Sequence, residues 1–178
     1  MSTPEFSRLE RIDTIGEGER EISISASPDE RVALARRFGL KAVDRLDGVF
    51  RVRRDAAGIT ARGKVQAAVV QACVVTDDSL PVTVDEPVAL RFVTGDGDTP
   101  EADEIELSED ALDTMEFDGA AIDLGEAAAE TMALALDPFP RGPNAAAALR
   151  EAGVISEDEA KPLGALAGLK AQLEKRQS

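Results

Sequence analysis

Between Glu21 and Ser25 apolar and polar side chains alternate, which predicts a short strand with Ile22 and Ile24 on one face. The period then changes. Ser27-Pro28-Asp29-Glu30 opens a predicted helix, with Ser27 as N-cap, Pro28 where a missing N–H costs little, and Glu30 placed to complete a capping box. Val32, Leu34, Ala35 and Phe38 supply its apolar side, and Gly39 stops it. Two β-branched runs, Val49 to Arg53 and Ile59 to Val75, flank Asp55-Ala56-Ala57-Gly58, a hairpin with a loop of about four residues. Leu80 to Val93 predicts a further strand, interrupted at Asp85-Glu86-Pro87, where proline ends ladder pairing or marks an edge. Asp123 and Glu126 start a second helix in capping-box spacing, with Leu124, Ala128, Met132 and Ala135 on one stripe, ending at Asp137-Pro138. Short turns join most strands, so the pattern predicts an α+β fold. Its sheet is antiparallel, twisted or barrel-like, with five to six strands packed against two main helices.

Composition narrows the chemistry. The 178 residues include no His, Trp or Tyr and one Cys, Cys73. Without His there is no Ser–His or Cys–His hydrolase, histidine base or His-ligated zinc site. A lone Cys forms no internal disulfide or Cys₄ site, and a reduced cytoplasm is the expected setting. The first residues carry neither a basic nor an apolar leader, and no run of eighteen apolar residues occurs, so no membrane association is expected.

Charge is distributed unevenly. The net charge is −15, yet Glu30 to Lys64 holds ten basic residues against four acidic ones. Thr94 to Asp118 holds eleven acids and no Lys or Arg, which predicts a solvated insertion or loop. The predicted organisation is a tail over 1–14, an α+β domain over 15–143 with an acidic loop at 94–118, and a helical or mobile C-terminal tail over 144–178.

The run Val65 to Val75, ending in Gln71-Ala72-Cys73, precedes a Leu80-Pro81 turn and the acidic stretch. Ile122-Asp123-Leu124-Gly125-Glu126, Glu130 and Pro138-Phe139-Pro140-Arg141 follow in order. This series resembles the YceD family, domain of unknown function 177, over roughly residues 15 to 175. Two positions depart from the family pattern. Val75 or Thr76 stands where many members have a second Cys, and Asp78-Ser79-Leu80-Pro81 replaces the usual Leu-Glu-Pro, so a metal or redox role suggested for two-Cys members does not transfer. The resemblance implies a role in accumulation of large-subunit ribosomal RNA, in processing or assembly of the large ribosomal particle in bacteria. It implies no catalytic activity and no cofactor.

Arg51 and Arg53 share one face of a strand, as do Arg62 and Lys64 on its neighbour, so the hairpin presents cations to an RNA phosphate backbone. The plainer alternative is the wet face of a half-covered sheet. Base stacking is not expected, since Phe50 is the only aromatic within that strip. The acidic stretch offers a second partner class, a basic ribosomal or assembly protein, as in a protein-only adaptor. A third idea has that stretch mimicking phosphate and covering the basic face. Glu126 and Glu130 stand four apart on one helix face, but with no His or second acidic pair they point to structure or partner binding rather than catalysis. Asp123, Glu126, Glu130 and Arg141 are therefore the candidate partner-binding set, with Glu130 expected to bond an Arg such as Arg141. Cys73 reads as a small buried side chain.

Overall fold

A computed structural model describes residues 4–56, 58–94, 113–117 and 119–154. In chain order these form β1 (Leu9–Arg11), a 3₁₀ turn (Ile12–Thr14), β2 (Arg20–Ser25), α1 (Pro28–Arg37), β3 (Ala42–Asp55), β4 (Gly58–Ala72), β5 (Ser79–Thr94), β6 (Asp113–Phe117), β7 (Ala121–Asp123), α2 (Leu124–Leu134) and α3 (Ala145–Glu151). One sheet has the order β2-β3-β4-β5-β6, and β1 pairs with β7 in a separate two-stranded ribbon.

The α+β class stands, but the sheet is mixed and is not a closed barrel. β2 to β5 run antiparallel, while β6 lies parallel to β5 over Leu90–Thr94. Parallel neighbours need a long crossover, and residues 95–112 separate these two strands. The acidic stretch is thus not a loop throughout, because its residues Asp113–Phe117 are a strand. The part of it at 95–112 lies outside the described residues, as does the C-terminal segment beyond Val154.

Local rules account for the helices. Ser27 accepts from the Glu30 backbone and Glu30 reaches back to the Ser27 N–H, closing the capping box, and Gly39 follows the helix at φ +63°. Leu34 and Ala35 are buried, whereas Val32 faces solvent. In α2 the stripe holds at Leu124, Ala128 and Met132, and the helix ends at Leu134.

The long strands depart from the sequence pattern at three places. β3 starts at Ala42, well before Val49, because a bulge between Val43 and Arg45 breaks the two-residue period and lets Val43 and Leu46 both face inward. Asp55 pairs with Gly58, so the hairpin loop is tighter than four residues. β5 runs through Asp85-Glu86-Pro87 without interruption. Pro81 and Pro87 are six apart and so fall on one side of that strand, along the stretch Ser79–Ala89 that β6 does not cover. There the missing N–H breaks no ladder and discourages pairing with another chain.

Both helices pack on one face of the sheet. Leu34, Leu124 and Met132 join Leu46, Phe50, Val52, Val65, Val69 and Phe92 in a single core. Residues read as an N-terminal tail enter it too: Phe6 is fully buried, and β1 pairs with β7. The opposite face of the sheet carries no helix among the described residues.

Candidate functional site

The uncovered face is organised by strand register. Arg51 of β3 stands directly opposite Arg62 of β4, with Glu21 of β2 beyond it. One row along, Arg53 faces Thr60, and Arg91 of β5 faces Thr60 from the other side. In the row on the other side of Arg51, Lys64 lies opposite Val49. The alternation that buries Phe50 and Val52 sends Arg51 and Arg53 outward, and the burial of Leu90 and Phe92 does the same for Arg91. Like charges placed directly opposite disfavour pairing, so the Arg51/Arg62 row is maintained by the core beneath it.

Carboxylates neutralise this strip only in part. Arg51 lies 3.7 Å from Glu21 and Arg53 4.0 Å from Asp55, while Lys64 holds Asp85 at 2.9 Å. Neither Arg62 nor Arg91 makes an ion pair among the described residues. Exposed pairs of this kind contribute about 0–1 kcal/mol, little enough for a phosphate to replace them. A hollow of about 430 Å³ opens between Arg51, Arg62, Lys64, Glu21, Val49 and Ala89. Beneath it the backbones nearly touch: a Cβ on Gly63 would stand 1.8 Å from the Val49 carbonyl oxygen.

The ten cations of the basic window do not form one patch. Arg37 leaves for α1, where it binds Glu126, Arg31 bonds the Asp44 carbonyl, and Lys41 binds Asp77. Four residues of the predicted strip, Arg51, Arg53, Arg62 and Lys64, do share a face. Arg91 joins them, and its place between inward Leu90 and Phe92 was readable from alternation in the sequence.

The Asp123–Glu130 helix start has a different geometry. The Asp123 carboxylate accepts from the Gly125 and Glu126 backbones at 2.9 and 3.2 Å, from the Arg8 backbone at 2.7 Å and from Ser7 Oγ at 2.6 Å. It therefore caps α2 and fastens the N-terminal segment at once. Gly125 is where that segment crosses, since a Cβ would sit 2.6 Å from the Phe6 carbonyl oxygen. Glu126 is gripped by two Arg37 nitrogens at 2.8 and 2.5 Å, not turned back into a capping box. The neighbouring Arg8 binds Glu30 through two nitrogens at 2.7 and 2.9 Å, and this holds the Glu30 carboxyl down at about 2. Glu130 is exposed, and its pKa is raised by partial desolvation and then by the Glu126 charge. It forms no ion pair with Arg141, which is exposed beyond Pro140. The four residues named as a partner-binding set are thus split between an internal clamp and two separate surface positions.

A third constellation was not assembled from the sequence. Cys73, at the end of β4, is buried, and its Sγ accepts from the Gly142 backbone at 3.3 Å. That bond, with the Thr76 hydroxyl and nearby backbone N–H groups, lowers the thiol to about 7. Buried Gln71 donates to the Asp137 carbonyl at 2.9 Å, and the Val74 N–H donates to the Pro140 carbonyl at 2.9 Å. Asn144 and Thr76 both bond Asp78. A hollow of about 730 Å³, walled by Phe38, Leu40, Val75, Leu136 and Pro138 among others, lies beside this junction. Gln-x-Cys and Pro-Arg are separated by the whole of β5, β6 and α2, and only folding brings them together.

A family model described as large ribosomal RNA subunit accumulation protein YceD matches residues 61–170, more than half of the chain. The chain belongs to the YceD family. Neither a curated protein nor a solved structure matches it. The family's name carries a role in accumulation of the large-subunit ribosomal RNA. The YceD match contains Arg62, Lys64 and Arg91, the Cys73 junction and α2, and leaves Arg51 and Arg53 outside it. Among the described residues no helix is long and apolar enough to cross a membrane, and no group of three or more Cys, Asp or Glu side chains is placed to hold a metal ion.

Proposed function

We propose that this YceD-family chain is a non-enzymatic, cytoplasmic factor that supports large-subunit ribosomal RNA accumulation by contacting RNA through the uncovered face of its sheet. The observation that carries this reading is the Arg51/Arg62 row, extended by Arg53, Arg91 and Lys64, on a face no described helix covers. Phosphate contacts from such a face position a nucleic acid without reading its sequence. The clamp at Asp123 and Glu126 ties α1, α2 and the N-terminal segment together, and the Cys73 junction ties the end of β4 to the segment at Gly142.

Crosslinking in cells, followed by recovery of attached RNA, tests the reading. Arg51→Glu with Arg53→Glu should remove ribosomal RNA fragments from the recovered material while the fold is kept, since both side chains are exposed. Unchanged RNA recovery together with a co-purifying basic protein would instead favour the adaptor. In that test Glu126→Lys is a poor probe of partner binding, because it also breaks the bond to Arg37.

A further inference from the structure

Building on that RNA-contact reading, we infer that the face recognises the sugar-phosphate backbone of a base-paired RNA segment rather than a single strand. The first reason is what the face lacks. Phe50 and Phe92, the aromatic residues in its three long strands, are both buried on the opposite side, and the chain has no Trp or Tyr. Single-stranded RNA is held chiefly by stacking unpaired bases on aromatic side chains, each worth about 1–3 kcal/mol. Here no stacking platform helps the cations offset the entropy of ordering a flexible strand.

The second reason is the fixed array of charge. Arg51, Arg53, Arg62, Lys64 and Arg91 sit on three hydrogen-bonded strands in consecutive rows. Rows two residues apart lie about 6.8 Å from one another, and neighbouring strands about 4.8 Å. The five cations thus emerge from a rigid patch roughly 10 by 14 Å. A duplex offers phosphates that are themselves fixed in space and more densely charged, so both partners meet already ordered. Double-stranded RNA is read in this manner, by shape and backbone contacts without a sequence code.

Fluorescence anisotropy on the full chain tests the inference, using an RNA duplex of about 16 base pairs, the span of a shape-reading domain. A second duplex of shuffled sequence and a poly-uridine strand with the same number of phosphates serve as comparisons. Both duplexes should bind equally and at least about ten-fold tighter than poly-uridine at about 50 mM salt. Duplex affinity should fall about 500-fold between about 50 and about 200 mM salt, five neutralised phosphates giving a slope near −4.5. Arg62→Gln should weaken duplex binding about ten-fold and flatten the slope by about 0.9, while Arg62→Lys keeps both. Poly-uridine binding as tightly as the duplex overturns the inference and leaves RNA contact standing. Binding of neither RNA, or duplex binding indifferent to Arg62→Gln, overturns the reading of this face itself.

Discussion

Arg37 on α1 and Glu126 on α2 are joined by two guanidinium–carboxylate hydrogen bonds of 2.8 and 2.5 Å, although 89 residues separate them in the chain. Glu5 approaches the same guanidinium at 3.1 Å. The pair therefore fastens together both helices and the N-terminal segment over one face of the sheet. Its side chains are largely covered, which limits screening by water.

Glu126→Gln should cost about 1–2 kcal/mol, more than an exposed surface pair, because charge-assisted bonds are stronger and partly covered. Urea unfolding followed by circular dichroism is the measurement, the chain having no Trp for fluorescence. In a double-mutant cycle with Arg37→Gln a coupling of about 1 kcal/mol is expected. A coupling near zero would mean that the two helices are held by their apolar faces alone.

Acid should expose the second clamp. Arg8 holds the folded-state pKa of Glu30 at about 2, below the ordinary 4.5. A depressed carboxylate contributes stability that is present above the unfolded pKa and lost as pH falls through the folded one. Stability should therefore decline between about pH 4.5 and pH 2, and Glu30→Gln should flatten that part of the curve. A variant with the same slope as the parent would assign the decline to other carboxylates.

Cys73 should ionise near neutral pH. Thiolate absorbance in the folded chain should rise with a midpoint at about 7, against about 8.5 for a free cysteine. Because the thiol pKa is lowered on folding, this group adds stability as pH rises above 7 toward the unfolded value. Thr76→Val, which removes one donor, should move the midpoint upward. A midpoint unchanged by folding would show that the Gly142 contact does not polarise the sulfur.

Gly63 should tolerate no side chain. A methyl group there meets backbone, not a flexible side chain, at 1.8 Å from the Val49 oxygen. Gly63→Ala should cost about 3 kcal/mol, the upper range for an overpacking change, while Gly16→Ala, with open space around it, should leave the urea midpoint almost unmoved. Similar midpoints for the two variants would show that β3 and β4 can separate at the hollow.

Local rules were enough for much of this molecule. Ser27-Pro28-Asp29-Glu30 and Asp123 started helices where capping chemistry said they would, because a cap depends on residues within one turn. Alternation also put Arg51, Arg53, Arg62 and Lys64 on one side of their strands, since side-chain direction follows from the two-residue period alone. Other features depended on partners distant in sequence. No local pattern reveals that β6 would lie parallel to β5, that Phe6 would fill the core, or that Arg37 would leave the basic window to bind Glu126. Nor did the spacing of Gln71, Cys73, Asp137 and Gly142 indicate that their atoms meet. Periodicity fixes the direction in which a side chain leaves the backbone, whereas the group it encounters is set by how strands and helices stack, a choice made by burying one common core.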